Sequence, residues 1–383
     1  SYLARNSATA SSGGAIYLNE NSSGSFTNND FKFNSATWGG AIMAKCPSLE
    51  IDGGIFLGNH ANYGGGVATQ GSVSSSFSNV RILSNEANAT ASAQGGFAYF
   101  NTGSTGSTFV NCVIVGNKAT GRNGVYKPTG ATRFVNCSIV GNQSGAEGGI
   151  TLLFDGDSVV LENTIMWGNT AATGNEIYVN SGTASANFSL YDPSHSPGTI
   201  TGTPVSSSDP LFVDANGTDN VYGTEDDDLT LQASSPAIDQ ASNGVSDYSA
   251  TDIRGLSRNG DPDIGAHEYF PAGPPVFTSL ASFSVAENQI SVGTVTTTDP
   301  NGDAISYSIT GGADQAKFTI HATTGVLVFS SAPDFETPLD NGADNIYNLT
   351  VQASDGALTA TQDITVTITD VNEGTPNSAP SGL

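Results

Sequence analysis

The chain has 383 residues, 46 of them glycine, with 36 acidic against 11 basic side chains and a formal net charge of −25. A polyanion of this kind repels nucleic acid and anionic lipid, and no apolar run is long enough to cross a membrane, so these partners and membrane insertion are excluded. The charge is uneven: residues 1–200 hold 8 basic and 11 acidic side chains (net −3), whereas residues 201–383 hold 3 and 25 (net −22).

From the N-terminus an asparagine keeps returning, at Asn6, Asn34, Asn59, Asn85, Asn117, Asn142 and Asn169, with spacings of 28, 25, 26, 32, 25 and 27 residues. Each closes a short apolar stretch, as in Ile82-Leu83-Ser84-Asn85 and Ile114-Val115-Gly116-Asn117, and a glycine pair follows at Gly13-Gly14, Gly39-Gly40, Gly64-Gly65, Gly95-Gly96 and Gly148-Gly149. A period in the twenties without helix formers marks stacked coils. A coil this small cannot bury its own apolar face, so it must lie on its neighbours. Asn tolerates the left-handed turn conformation, and its amide can bond the Asn of the next coil, which predicts a ladder. Runs such as residues 134–140 and 159–166 are β-branched or aromatic and strand-like. The fold class is therefore all-β, with a right-handed parallel β-helix over residues 1–206. Three short strands and three turns are expected per coil, and a protruding loop at 88–94 or 101–107. Cys112 and Cys137 fall at equivalent places in consecutive coils and read as stacked buried thiols, because stacked positions rarely offer the disulfide dihedral. Cys46 reads as a core filler.

The motif Phe31-Lys32-Phe33-Asn34 followed by Gly39-Gly40-Ala41-Ile42, with Gly13-Gly14-Ala15-Ile16 one coil earlier, resembles the repeat of the chlamydial polymorphic outer-membrane proteins. Those are β-helical surface passengers that act as adhesins, so the resemblance implies a bacterial surface β-helix.

Residues 207–270 carry Asp209-Pro210-Leu211-Phe212-Val213-Asp214, then Leu229-Thr230-Leu231, Asp252-Ile253-Arg254-Gly255 and Asp263-Ile264-Gly265-Ala266-His267-Glu268-Tyr269. They resemble the terminal coils of secreted bacterial β-helix proteins, which implies a segment closing the exposed C-terminal end of the solenoid. An Arg254–Asp263 ion pair is expected to pin the last strand, with His267 packed rather than catalytic or metal-bound. Within this segment Asp214, Asn216, Asp219, Asp226 and Asp228 alternate around Gly217 and end in an acidic cluster. That arrangement can fold oxygens around calcium, and consecutive carboxylates repel without a cation. A solvated acidic loop is the alternative.

Residues 271–275 form a Pro/Gly linker, after which 276–374 alternate with strand period in seven segments, the count of an immunoglobulin-like sandwich. Ala286-Glu287-Asn288, Asp299-Pro300-Asn301-Gly302-Asp303, Asp334-Phe335-Glu336, Ala353-Ser354-Asp355 and Asp370-Val371-Asn372-Glu373 resemble the motifs of a cadherin repeat. The resemblance implies two calcium half-sites. Glu287, Asp334, Glu336, Asp370 and Asn372 would gather at the C-terminal pole, and Asp299, Asp303 and Asp355 at the N-terminal pole, towards the β-helix. The family's linker ends Asp-x-Asn-Asp-Asn; Glu373 and Gly374 replace its last two places, which puts one ligand oxygen in question. Residues 375–383 resemble the entry to a further repeat. With no start Met or leader, the chain is expected to be a fragment or processed form.

Together these readings imply a secreted or cell-surface bacterial protein, structural and adhesive, stabilised by calcium. Its partner would be a surface glycan or protein, or another copy of itself in a matrix or filament. Outward tyrosines (Tyr17, Tyr63, Tyr99, Tyr126, Tyr178) are candidates for stacking on it. The rival reading is a polysaccharide lyase or glycoside hydrolase, which needs a base beside acids or two facing carboxylates. The bases Lys45, Lys118, Arg122, Lys127 and Arg133 and the acids Asp52, Glu86, Glu147, Asp155, Asp157, Glu162 and Glu176 are scattered, with only Glu147 near Lys118 and Arg122 at one coil's spacing. No catalytic set is assigned.

Overall fold

A computed structural model describes residues 1–88, 94–101, 104–121, 126–127, 130–146, 152–153, 156–173, 176–179, 181–196, 198–258 and 260–372. The chain divides into two compact units, Ser1–Tyr269 and Phe270–Leu383. Among the described residues there are strands and two short 3-10 segments, and no α-helix. The expected loop at 88–94 or 101–107 falls partly outside the described residues.

The first unit is a parallel β-solenoid of about six turns. One coil shows how it is built: Ser74–Ser78, Arg81–Leu83, Glu86–Ala87 and Ala98–Phe100 each pair, parallel and in register, with the coils above and below. Phe77 lies between Ile51 and Phe109, and Ile82 between Phe56 and Ile114. This coil thus has four strands where three are expected, although its first two belong to one sheet that Gly24–Lys32 and Ser48–Leu57 cross as single strands in the coils before it. The extra break has a local cause. Asn79, Asn111, Asn136 and Asn163 take left-handed φ of 58°, 54°, 50° and 51° and fold one apolar run into two strands.

The ladder forms as expected. Asn6, Asn34, Asn59, Asn85 and Asn117 each donate from Nδ2 to Oδ1 of the next asparagine at 2.9–3.0 Å, and Asn142 donates to Asn169 at 2.8 Å. From Asn34 to Asn142 the members are fully buried. Asn169 ends the row by donating to the buried Glu176 at 2.6 Å. The left-handed residue, however, is the one before each ladder position: Phe33 (56°), Gly58 (60°), Ser84 (47°), Gly116 (65°), Gly141 (63°) and Gly168 (66°). That bend turns the chain so that the following amide points inward. At the other corner Gly40 allows close approach, since a Cβ there would sit 2.0 Å from the Gly65 carbonyl oxygen. Inside, Phe77, Phe109 and Phe134 stack at 4.7 and 4.8 Å between centroids. Cys46, Cys112 and Cys137 are buried free thiols, and burial holds the Cys112 thiol well above its ordinary pKa.

Residues 207–269 correct the expectation of an end closure, because they pack along the flank of the second strand column. Phe212, Leu229, Leu231, Ala237, Ile264 and Ala266 share one apolar cluster with Leu83, Val113, Val115, Val140, Ile165 and Leu190. The reason lies in that column: Val113–Val115 and Ser138–Val140 are buried at every position, so both faces need cover. The left-handed asparagines supply the docking bonds. Asn163 exchanges two hydrogen bonds with the Ser242 backbone (2.9 and 2.8 Å), and Arg258 Nη2 donates to Asn111 Oδ1 at 3.3 Å. Farther along, Lys32 pairs with Glu225 at 2.9 Å. The expected Arg254–Asp263 pair is also corrected. Arg254 pairs with Asp252, two residues away in one tight turn, at 2.8 Å. Arg258 pairs with Glu268 at 3.2 Å in full burial, and Asp263 accepts the backbone N–H groups of Asp239 and Tyr269 instead.

The second unit is a β-sandwich. One sheet orders Ser282–Ala286, Thr359–Thr369, Ile346–Ser354 and Ser306–Gly311; the other orders Ser291–Thr294, Val326–Phe329 and Phe318–Ile320. Alternate residues such as Leu327, Phe329, Tyr347, Leu349, Val351, Ile364 and Val366 fill the space between.

Candidate metal centre

The strand Ser282–Ala286 runs parallel to Thr365–Thr369 at the sheet edge and delivers Glu287 to one pole of the sandwich, where its N–H bonds the Thr369 carbonyl at 3.1 Å. The next residue, Asn288, has φ 61° and turns the chain away, while its N–H bonds the Pro333 carbonyl at 2.8 Å. This ties the segment carrying Asp334 and Glu336 to the one carrying Glu287. Glu287 is 2% exposed, and its two oxygens accept the N–H groups of Phe335 (2.9 Å) and Val371 (2.8 Å). Asp334 Oδ1 accepts the N–H groups of Glu336 and Thr337 at 3.0 and 3.1 Å. One carboxylate oxygen each from Glu287, Asp334 and Glu336 then lies within 4.8 Å of the others. Among the described residues no other three acidic, His or Cys side chains converge in this way.

The electrostatics of the pole follow from this crowding. The Phe335 and Val371 N–H groups hold the Glu287 carboxyl below its ordinary value. Glu336 goes the other way: its own backbone N–H lowers it, but desolvation and the charges of Glu287, Asp370 and Asp334 together push it up. A group of hard oxygens that repel one another at this range suits calcium, which takes six to eight oxygen ligands in irregular geometry. Asp370 and Asn372 follow the last strand directly and are exposed.

At the other acidic turn Asp299 Oδ1 accepts the N–H groups of Asn301 (3.1 Å) and Asp303 (3.0 Å), and Asn301 Nδ2 donates to Asp303 Oδ2 at 2.6 Å. Asp299 Oδ2 and Asn301 Oδ1 are shielded from solvent without a hydrogen-bond donor. Buried oxygens of this kind are costly unless something pairs with them, and a cation fits. Asn301 was not among the ligands read from sequence. Asp355 accepts the N–H groups of Ala357 and Leu358, and it does not form a three-carboxylate group with Asp299 and Asp303. The acids Asp314 and Asp340, both buried, spend their oxygens on backbone N–H groups.

The loop from Asp214 to Asp228 is organised by hydroxyls. Asp226 accepts from the Thr218 and Thr224 side chains at 2.7 and 2.6 Å, which hold its carboxyl down to about 2. Asp219 and Asp228 accept the N–H groups of Val221 and Thr230 at 2.8 and 2.9 Å. The structure does not bring Asp214, Asp219, Asp226 and Asp228 together as three-carboxylate ligands, and Asn216 stands half-buried beside them.

Several of the rod's scattered acids and bases take structural partners. Arg133 pairs with Glu162 and with Asp247 of the flank segment, Asp52 accepts from Asn79 at 2.8 Å, and Lys45 lies 5.9 Å from the Tyr17 ring centre. Glu147, Arg122, Asp155, Glu373 and Gly374 lie outside the described residues, as do the side chains of Tyr126 and Lys127. Tyr63 and Tyr99 join a row begun by Trp38, which stacks on Tyr63 at 4.3 Å.

Residues 281–369 match the Cadherin domain family. This part of the chain is a cadherin domain. Human Protocadherin-15 is 34% identical over 109 residues, covering 27% of this chain and 5% of that protein. Mouse Protocadherin Fat 4 is 36% identical over 110 residues, and Halomucin of Haloquadratum walsbyi is 35% identical over 144, each match covering 2% of the relative. The chain therefore spans a small fraction of the length of these relatives. Among solved structures, human protocadherin-24 EC1-2 is 21% identical, with a TM-score of 0.24, over 27% of this chain and 46% of that one. Among the described residues, no helix is long and apolar enough to cross a membrane.

Proposed function

We propose that the chain is part of an extracellular, surface-associated bacterial protein whose work is structural and adhesive. In this reading the solenoid is a stiff rod that presents its flat faces to a surface glycan or protein, or to a second copy. The cadherin domain is stiffened by calcium at its poles, through Glu287, Asp334, Glu336, Asp370 and Asn372 at one and Asp299, Asp303 and Asp355 at the other. The observation that carries the proposal is the convergence of Glu287, Asp334 and Glu336 within 4.8 Å beside the exit of the last strand. Three carboxylates so placed repel at neutral pH, and calcium turns that repulsion into a tie between three chain segments. The bacterial source is supported by the glycine-pair and asparagine repeats of the rod.

Adhesion is tested with beads carrying the full chain, presented to glycan and protein arrays and to each other in millimolar calcium or in chelator. Retention on a defined surface or self-clustering is expected. No retention on any surface and no clustering under either condition would reject the adhesive reading.

A further inference from the structure

The flank segment leaves a groove of 580 Å³ where residues 251–255 approach the early coils, lined by three cations, Lys32, Arg81 and Arg254, and three carboxylates, Asp30, Asp252 and Glu225. The pairing inside it is incomplete. Lys32 serves Glu225 at 2.9 Å and Asp30 at 3.9 Å, and Arg254 serves Asp252 at 2.8 Å. Arg81, half-buried as a residue, has no ion pair and no side-chain hydrogen bond among the described residues. In a chain with 36 acidic and 11 basic side chains, an unmatched guanidinium lining a cavity is out of keeping with its surroundings. A second cavity of 180 Å³ shares Arg81, Ile253 and Arg254 with the first and is also lined by Asp227, whose oxygens accept from Gly223 N–H and the Thr224 hydroxyl, and by His267, whose Nδ1 is shielded from solvent without a partner.

We infer that this groove binds an acidic sugar, with Arg81 as the anchor for a uronate carboxylate. Guanidinium offers a planar fork that matches a carboxylate, and at Arg81 that fork is not taken by Asp30, Asp252 or Glu225, which pair with Lys32 and Arg254. The rest of the lining suits hydroxyls. Asn28 and Asn79 carry side-chain amides, and Asp30 and Glu225 can accept from sugar O–H groups. Gly53 and Gly54, with φ 70° and 88°, leave bare backbone along the wall. The volume falls within the range of small-molecule sites, roughly 300–1,000 Å³. The inference rests on the reading of the rod as a glycan-binding module and names its site and ligand class.

Calorimetry of the full chain in chelator with trigalacturonate tests it, because chelation removes any bridge made by calcium. Wild type is expected to bind the acid and to bind its neutral methyl ester about ten- to a hundredfold more weakly, and Arg81→Gln should lose a similar factor for the acid. Arg81 has no partner to lose, so that variant should keep the wild-type melting temperature. No uptake by wild type, or equal uptake of acid and ester, overturns the inference. Binding of the acid that survives Arg81→Gln would also reject the groove, while leaving an adhesive surface elsewhere on the rod.

Discussion

Replacing Asn117 with Leu removes one rung of the ladder while keeping a side chain of similar bulk. In the structure Asn117 Oδ1 accepts both the backbone N–H and the Nδ2 of Asn85 at 2.9 Å, and its Nδ2 donates to the Ile82 and Val115 carbonyls at 2.9 and 3.1 Å and to Asn142 Oδ1 at 3.0 Å. All of this happens at zero exposure. Leucine leaves the Asn85 N–H without its acceptor and strips one bond from each of the two carbonyls. Each buried group so orphaned costs about 1–3 kcal/mol, and the Asn85 N–H is the most complete loss, so the total is on the order of 3 kcal/mol. For a unit of this size that corresponds to a fall of roughly 6–12 °C in melting temperature. Differential scanning calorimetry of the full chain, with the exposed Ser74→Ala as a control expected to stay within about 0.5 kcal/mol, reads the difference. Equal melting temperatures for Asn117→Leu and the control would refute the ladder as a source of stability.

Arg258→Met strands Glu268 in full burial and should destabilise the solenoid by about 3–5 kcal/mol, with much of the loss recovered when Glu268→Gln is added; a single variant melting with wild type would show that the pair does not hold the flank segment. Burial pushes the Asp263 carboxyl up to about 7. With its folded value above its unfolded one, its contribution is complete below the ordinary carboxylate range and is lost as pH rises through about 7. The solenoid should therefore melt lower at pH 8 than at pH 6, by a margin that shrinks in Asp263→Asn; a margin unchanged in that variant would contradict the assignment. At the cadherin pole the raised Glu336 carboxyl must lose its proton to bind metal, so calcium uptake should weaken as pH falls through that raised value. Calorimetry in buffers of different ionisation heat would detect the released proton, and a pH-independent affinity across the carboxylate range would count against Glu336.

The features that repeat were legible before the structure. Seven asparagines at coil spacing require a common environment, and that environment proved to be one row of amides. The second asparagine series, Asn79, Asn111, Asn136 and Asn163, was equally regular but sat inside apolar runs, so the left-handed break that splits one strand of each of these coils in two went unread. The flank packing had a signal too: apolar triplets such as Val113-Ile114-Val115 have no polar face to give to solvent. It was obscured because the motifs of residues 207–270 suggested an end closure. The pairing of Arg258 with Glu268 rather than Arg254 with Asp263 depends on which side chains the folded flank turns inward, and spacing does not encode that. The sandwich was legible from strand alternation and short acidic motifs, and the pole at Glu287 assembled from three such motifs. The acidic loop at 214–228 was read by its carboxylates alone, whereas the hydroxyls of Thr218 and Thr224 organise it.

Calcium titration of the full chain, with wild type compared against the Asp334→Ala, Glu336→Ala double variant, decides whether the acidic pole of the cadherin domain holds metal. Wild type should take up calcium in the range of extracellular modules, roughly 0.1–1 mM, with a rise in the melting temperature of the cadherin domain that magnesium reproduces only weakly. In the double variant the share of this pole should disappear. No calcium uptake up to millimolar concentration in wild type and variant alike would show that it holds none.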